Sequence, residues 1–583
     1  MIKKEHLVSD ISKLKKVYNQ SFPWLVTLAE ESENAKYFKD ALRSLILSRL
    51  TEKESTQENV GMAVARRILL LIEHDDTFVD ELSTGERLPV RTVTYLWQFL
   101  IGHLENEVSP DLFIDLYHQF DLLEYPVEIL PDRALVKRQM NRWPTGLGPE
   151  VIAIRERNKE RIIACLIKKI ERRHSLSSRF QFAEGISYEE KEARVREWWN
   201  TARFHLSMAI KSPTELNFFL GYSLSDETMS LLARAKKKGM PFFVTPYYLS
   251  LLNIEHEGYD DATVRSYIMY SNELVDTYGS IKAWEKEDMV VADEPNAAGW
   301  LLPEGHNIHR RYPEVAILIP DSMGRACGGL CASCQRMYDF QSERLNFDFE
   351  ALKPKESWDR MRYFEEDAQL RDILITGGDA LMSQNATLRK ILEAVYKMAV
   401  RKRKANESRS EGEKYAELQR VRLGSRLLAY LPLRVTDELV GILREFKEKA
   451  SAIGVSQFYI QTHFQSPLEV TPEARHAIEA ILAAGWTITN RLVYTVSASR
   501  RGHTAKLRQT LNALGVVCYY TFSVKGFREN YAVYTPNSRS LQEAREEKIF
   551  GQVPEEKQAE LYDMIRNQRP LGKCLVRFLK ENG

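Results

Sequence analysis

The chain has 583 residues, which is too long for a single hydrophobic core and predicts two or three domains. Its 82 basic and 81 acidic residues almost cancel, so the charge gives no indication of a nucleic-acid or anionic-membrane partner. The N-terminal sequence lacks the apolar core of a signal peptide. The longest apolar runs, such as residues 68–72, are far shorter than the about 20 residues that cross a bilayer. We therefore expect a soluble, cytoplasmic protein.

The first third of the chain carries the helical pattern. Residues 1–195 place apolar residues three and four apart and show no convincing strand, which predicts an all-helical N-terminal domain of unknown role. Cys165 lies on the apolar face of one of these helices, where a buried structural thiol is expected rather than a ligand. Residues 196–310 are predicted to form a helical lead-in to the next domain.

Short β-rich runs alternate with helical segments from residue 316 onward. Alternation of this kind predicts right-handed βαβ units and a parallel sheet. We expect an α/β partial barrel, (β/α)6, over residues 311–525, with active-site groups at the carboxyl ends of the strands. A doubly wound open sheet is the structural alternative. The predicted strands are 316–319, 373–376, 421–423, 458–460, 487–493 and 516–520.

Two further segments are predicted from composition. The charged stretch 401–417 has the composition of an exposed insertion, and residues 526–583 are expected to form a C-terminal helical tail.

Three of the six cysteines fall within eight positions, just after the first predicted strand. Cys327, Cys331 and Cys334 have the short spacings with which one loop can hold an iron–sulfur cluster. Three ligands for a [4Fe–4S] cluster leave one iron open, and that iron can chelate the amino and carboxylate groups of S-adenosylmethionine (SAM). An electron from the cluster would then cleave SAM to a 5′-deoxyadenosyl radical. Zinc with a fourth ligand such as His309, a redox pair and a chance cluster are the other interpretations.

Segments on both sides of these cysteines resemble the lysine 2,3-aminomutase branch of the radical SAM enzymes, whose hallmark is CxxxCxxC. The resemblance covers residues 197–525, and its blocks follow the family's order. They are TPYYLSL at 245–251, HRRYP at 309–313, TGGDAL at 376–381, RLGSR at 422–426, LPLRVT at 431–436 and THF at 462–464.

The resemblance implies roles for single residues. Gly377, Gly378 and Asp379 match the motif that contacts the SAM amino group, and Ser425 and His463 would line the SAM pocket. Arg336 matches the arginine that binds the substrate α-carboxylate, a task suited to a guanidinium.

The resemblance further implies a position near the phosphate of pyridoxal phosphate (PLP) for Arg311. The resemblance also implies a small-molecule or peptide substrate and an electron donor such as flavodoxin or ferredoxin.

The sequence departs from the family where PLP and lysine would bind. No glycine run bearing a Schiff-base lysine follows the last predicted strand; Gly572-Lys573 is the only Gly-Lys pair there. After Tyr519-Tyr520 the chain has Lys525, a cation, where the family has a carboxylate for the lysine ammonium. We therefore expect a radical SAM enzyme that abstracts hydrogen from a carboxylate-bearing substrate other than free lysine, without PLP.

Two alternatives stay open at this point. One is a PLP-dependent amino-acid 2,3-aminomutase, an isomerase that uses a displaced lysine such as Lys573. The other is a non-catalytic iron–sulfur or zinc-binding regulator, which would have no need of Gly377, Gly378, Asp379 and His463 as a SAM pocket.

Overall fold

A computed structural model gives the fold of the chain in two units. It describes residues 11–51, 60–80, 87–104, 108, 110–125, 133–172, 179–254, 258–277, 294–302, 308–320, 361–523, 556–564 and 571–582, without positions 241, 271, 297, 298, 377, 496, 499, 558, 562 and 563. One unit comprises residues 1–80, 87–129 and 527–583, and the other comprises residues 81–86 and 130–526. The composition predicts a boundary near residue 195, whereas the contacts divide the chain near residue 130.

The first unit is built mainly from helices around an aromatic core. Its described helices are α1 (Ile11–Ser21), α2 (Pro23–Glu30), α3 (Ala35–Thr51), α4 (Val60–His74), α5 (Thr92–Ile101), α6 (Pro110–Glu124) and the C-terminal helix Leu571–Asn582. The rings of Phe99 and Phe113 stack with centroids 4.2 Å apart, and Tyr18 is fully buried beside them.

This unit also contains a two-stranded antiparallel sheet, formed by β1 (Phe78–Asp80) and β2 (Arg87–Pro89). The expectation of a purely helical segment is therefore wrong at this point. Strands of three residues are too short to show the alternation by which a strand is recognised in sequence.

The second unit is a mixed α/β structure around a seven-stranded sheet. Its strands are β3 (Ile308–Arg310), β4 (Val315–Leu318), β5 (Asp372–Ile375), β6 (Arg420–Gly424), β7 (Gln457–Thr462), β8 (Thr487–Tyr494) and β9 (Val517–Ser523). The order in the sheet is the order in the chain; β3 is antiparallel to β4, and all later neighbours are parallel. The six predicted strands are confirmed as β4 to β9, and β3 is an addition that the sequence did not predict.

Helices connect the parallel strands and precede the sheet. They are α7 (Arg133–Asn141), α8 (Pro149–Glu171), α9 (Tyr188–Trp199), α10 (Ala202–Ser207), α11 (Pro213–Phe219), α12 (Asp226–Lys237), α13 (Pro246–Leu249), α14 (Ala262–Arg265), α15 (Asn272–Thr277), α16 (Asn385–Glu407), α17 (Leu427–Tyr430), α18 (Asp437–Ser451), α19 (Pro472–Ala483) and α20 (His503–Ala513). The described residues also include 3₁₀ helices at Ala380–Met382, Glu411–Glu413, Pro432–Arg434 and Pro467–Glu469. A doubly wound sheet reverses its strand order part-way, and this sheet does not, so the doubly wound alternative is wrong.

Two expectations about single segments meet the structure here. Cys165 on α8 is confirmed as a buried thiol in the hydrophobic core, and burial raises its pKa. Most positions of the charged stretch 401–417 are exposed, as expected, but its first part is the end of α16 and not an insertion. Lys402 in that helix is 1% exposed, and its ammonium donates to the carbonyls of Phe364 and Leu370. Burial lowers the pKa of Lys402 to about 8.

No helix in the described part of the chain has the length and apolar character needed to cross a membrane.

Candidate active site

The carboxyl ends of β5, β6, β7 and β8 lie side by side because these strands are parallel and sequential neighbours. Three of the predicted residues follow successive strands: Asp379 after β5, Ser425 after β6 and His463 after β7. The structure thus brings together the ends of three strands that are well separated in the sequence. Gly378 precedes Asp379 in the same loop.

The carboxylate of Asp379 joins the ends of β5 and β6. One oxygen accepts from the Leu381 amide at 3.0 Å and caps a 3₁₀ helix, and the other accepts from the Arg426 amide at 2.6 Å. Burial raises the pKa of Asp379 to about 6, while Ser425 and these amides act in the opposite direction. Because both oxygens already accept amide hydrogens, the side chain acts foremost as a fixed connection between the two loops.

The next connections run from β6 to β7 and from β7 to β8. The Ser425 amide donates to the Gln461 carbonyl at 2.9 Å. The side chain of Asn490 accepts from the Phe464 amide at 2.6 Å and donates to the Phe464 carbonyl at 3.1 Å. The loops that carry Ser425 and His463 are therefore held to neighbouring strands by hydrogen bonds to their backbone, which gives the site a rigid frame.

Gly424 is required by the close approach of two strand ends. A Cβ atom at this position would lie 2.4 Å from the Thr376 hydroxyl oxygen and 2.8 Å from its Cβ. The glycine in RLGSR is explained by this contact and not by a left-handed backbone.

His463 is half-buried and has a neutral imidazole at physiological pH. Its pKa is lowered to about 3 by desolvation and by the charges of Arg491 and Arg426, and contact with the Arg491 backbone acts against this shift. The neighbouring Thr462 is 0% exposed, and its hydroxyl has no hydrogen-bond partner among the described residues. A buried hydroxyl left unpaired beside a neutral imidazole fits a polar ligand at this strand end.

A buried ionic network links the 245–251 and 422–426 blocks. The Arg426 guanidinium donates to the Tyr248 hydroxyl at 2.9 Å and to Glu469 at 3.3 Å, and it lies 3.5 Å from the centre of the Tyr267 ring. Tyr248 in turn donates to Glu469 at 2.6 Å. Glu469 stands in a block without a recognised sequence pattern. Its only signal in the sequence is its position three residues after Ser466, which is a capping-box spacing.

Arg311 follows β3 and is half-buried. The antiparallel register pairs Arg310 with Ala316, so Arg311 lies beside the start of β4 and not at the carboxyl ends of the parallel strands. Its neighbour Arg310 is 2% exposed, forms an ion pair with Asp367 and stacks 3.7 Å from the centre of the Trp300 ring.

The remaining predicted residues lie outside the described part of the chain. They are Cys327, Cys331, Cys334, Arg336 and Gly377. The backbone of Lys573 belongs to the helix Leu571–Asn582, but its side chain is also outside. Among the residues that the structure describes, no group of three or more His, Cys, Asp or Glu side chains is arranged to hold a metal ion.

Comparison with known proteins gives the same relatives as the sequence blocks. The chain is 27% identical over 423 residues to an uncharacterized KamA family protein of Methanocaldococcus jannaschii, covering 71% of this chain and 58% of that protein. It is 26% identical to the L-lysine 2,3-aminomutase of Methanococcus maripaludis, covering 56% of this chain and 64% of the relative. This chain is similar to proteins of the KamA and lysine 2,3-aminomutase type.

A further relative is named for glutamate instead of lysine. The chain is 28% identical to a glutamate 2,3-aminomutase of Clostridioides difficile, covering 57% of this chain and 66% of that protein. The chain thus spans about three-fifths of the length of these relatives. Residues 1–125 separately match a family model described as a domain of unknown function (DUF8427).

Proposed function

We propose that the chain is a radical SAM enzyme, related to the KamA-type aminomutases, that acts on a carboxylate-bearing substrate other than free lysine. The observation that carries this proposal is the position of the CxxxCxxC cysteines. They follow β4, the first of six parallel strands in sequential order, and the matching residues stand at the ends of the next three strands. We propose that these strands curve into a partial (β/α)6 barrel with its site at their carboxyl ends.

The proposed cofactors are a [4Fe–4S] cluster on Cys327, Cys331 and Cys334, and SAM bound to its open iron. The chemistry they supply is reductive cleavage of SAM, which starts hydrogen abstraction from the substrate. The described residues fit the SAM side of this site. The neutral imidazole of His463 and the unpaired hydroxyl of Thr462 can hydrogen-bond to a polar ligand, and the rigid Ser425 loop can orient it.

The polar face of the sheet favours an anionic over a cationic substrate. Strands β4 to β9 contain three arginines, Arg420, Arg422 and Arg491, against one carboxylate, Asp372. A free lysine ε-ammonium at this face would meet an excess of positive charge. This excess agrees with Lys525, which replaces the anion expected in lysine-specific relatives.

Anaerobic reconstitution with iron and sulfide tests the cofactor assignment. We expect about four irons per chain in the wild-type protein and a large loss of iron in Cys331→Ala. The matched control is Cys165→Ala, which removes a buried thiol of α8 and should keep its iron. Zinc without iron after anaerobic purification would contradict the proposal and support a zinc-binding regulator.

The PLP-dependent alternative has its own signature. An absorbance band of a PLP Schiff base that is lost in Lys573→Ala would favour an aminomutase with a displaced lysine. We expect the wild-type protein and Lys573→Ala to have the same absorbance spectrum after incubation with PLP.

A further inference from the structure

One face of β6, β7 and β8 is polar close to the candidate site. Side chains in register on parallel neighbours share a face, and the register aligns Gly424 with Gln461 and Gln461 with Thr489. Arg491, two residues after Thr489, donates to the side-chain oxygen of Gln461. We call Arg422, Gln461, Thr489 and Arg491 the polar strand face.

The charges on this face are paired unequally. Asp372 accepts from Arg422 at 2.8 Å and from Arg420 at 3.0 Å, so one carboxylate serves two guanidinium groups. Arg491 instead contacts the neutral amide of Gln461. Within strands β4 to β9 there is no second carboxylate to balance Arg491.

Two buried polar atoms on this face have no partner in the described part of the chain. They are the Nε atom of Arg491 and the hydroxyl oxygen of Thr489, a residue that is 5% exposed. Desolvation and the nearby charge of Arg422 lower the pKa of Arg491 to about 10, whereas Tyr519, Tyr520 and Asp372 act in the opposite direction. Buried donors are normally paired, so the missing partner is an acceptor, and beside a guanidinium an anionic one is favoured.

The position of these atoms connects them with the reaction site. Arg491 lies near the β7 end, because its backbone carbonyl accepts from the Gln465 side chain at 3.4 Å and its guanidinium donates to Gln461. Tyr520 pairs with Arg491 in the register of β8 and β9, and Tyr519 and Tyr520 are 51% and 50% exposed. A ligand at the face can thus reach a half-exposed aromatic pair as well as the guanidinium.

We propose that Arg491 and Thr489 form an oxyanion-binding site on the polar strand face. Its ligand chemistry is a carboxylate or phosphate group that accepts from the guanidinium fork and from the Thr489 hydroxyl. The oxyanion is either a carboxylate of the substrate or the phosphate of a bound cofactor. This inference rests on the proposed function in one respect, which is that the oxyanion site lies at the proposed active site.

Calorimetric titration of the full chain tests the site with L-glutamate, L-glutamine and inorganic phosphate. We expect glutamate or phosphate to bind, and binding to weaken about 10- to 100-fold in Arg491→Gln. Arg491→Lys should retain part of the affinity because it keeps the charge, and Thr489→Val should lose a smaller part. Arg389→Gln is the charge-matched control, since Arg389 on α16 forms an exposed ion pair with Glu445 on α18.

The pattern of binding identifies the source of the oxyanion. Binding of glutamate but not glutamine assigns a side-chain carboxylate of the substrate, and binding of both assigns its α-carboxylate. Binding of phosphate alone assigns a phosphate ester. No binding of either anion to the wild-type protein, or equal affinity in Arg491→Gln, overturns the site. A reconstituted wild-type protein that does not cleave SAM, but binds the anion through Arg491, would contradict the proposed function and leave the oxyanion site standing.

Discussion

Replacing Glu469 with glutamine should destabilise the loop that follows His463. Glu469 is 0% exposed, and one of its oxygens accepts from Tyr248 at 2.6 Å and from Arg426 at 3.3 Å. The other accepts from the amides of Gln465 and Ser466 at 2.6 and 3.0 Å. Glutamine keeps the volume but removes the charge and turns one acceptor into a donor.

The free-energy cost of this substitution follows from the burial of the ion pair between Glu469 and Arg426. Breaking a buried ion pair by removing one partner costs about 3–5 kcal/mol, because the remaining charge is left uncompensated. The amide of glutamine retains one acceptor, so we expect about 3 kcal/mol for Glu469→Gln. Arg426, whose side chain is 7% exposed, is then left without its counter-ion.

Hydrogen exchange followed by mass spectrometry measures this locally. A loss of about 3 kcal/mol in local opening speeds exchange of the Gln465 and Ser466 amides about a hundredfold. The control is Glu479→Gln, whose carboxylate is 60% exposed and lies 3.8 Å from Arg475; it should cost less than about 0.5 kcal/mol. Equal exchange rates in the wild-type and Glu469→Gln proteins would refute the claim that the hydrogen bonds of Glu469 stabilise this loop.

Three further predictions concern the strand ends. Gly424→Ala should lower the free energy of unfolding by about 1–3 kcal/mol in urea titrations, because its methyl group would meet Thr376; an unchanged midpoint would contradict the contact. The pKa of Asp379 is raised to about 6, so between about pH 4 and pH 6 the folded chain keeps a proton on this side chain that the unfolded chain has released. The melting temperature of the wild-type protein should therefore fall relative to that of Asp379→Asn as the pH rises from 4 to 6. Parallel pH profiles of the two proteins would contradict the raised pKa. In ¹³C-histidine NMR spectra His463 should stay neutral down to pH 5, and its pKa should rise in Arg491→Gln; a pKa near 6.5 in the wild-type protein would be inconsistent with its burial.

The sheet could be predicted from the sequence because each parallel strand is a short apolar run between helices. Ile373-Leu374-Ile375, for example, is buried on both faces and is flanked by turn and helix signals. Ser425 and His463 could be placed at neighbouring strand ends by the same reasoning, since in sequential parallel strands the carboxyl ends are adjacent.

Other parts of the site depend on contacts that no local pattern records. The pairing of Tyr248 with Glu469 joins residues 221 positions apart. Whether the Nε atom of Arg491 finds a partner depends on which side chains share its face of the sheet. Lys402 stands in a charged run typical of solvated helix ends, yet two backbone carbonyls from another segment hold it inside. Such partners are set by tertiary packing, which overrides the composition of the segment.

Release of 5′-deoxyadenosine from SAM tests the central claim most directly. Under anaerobic conditions with a strong reductant, the reconstituted wild-type chain and Cys165→Ala should both release it, and Cys334→Ala should release none. A wild-type chain that holds its iron but leaves SAM intact would contradict the account.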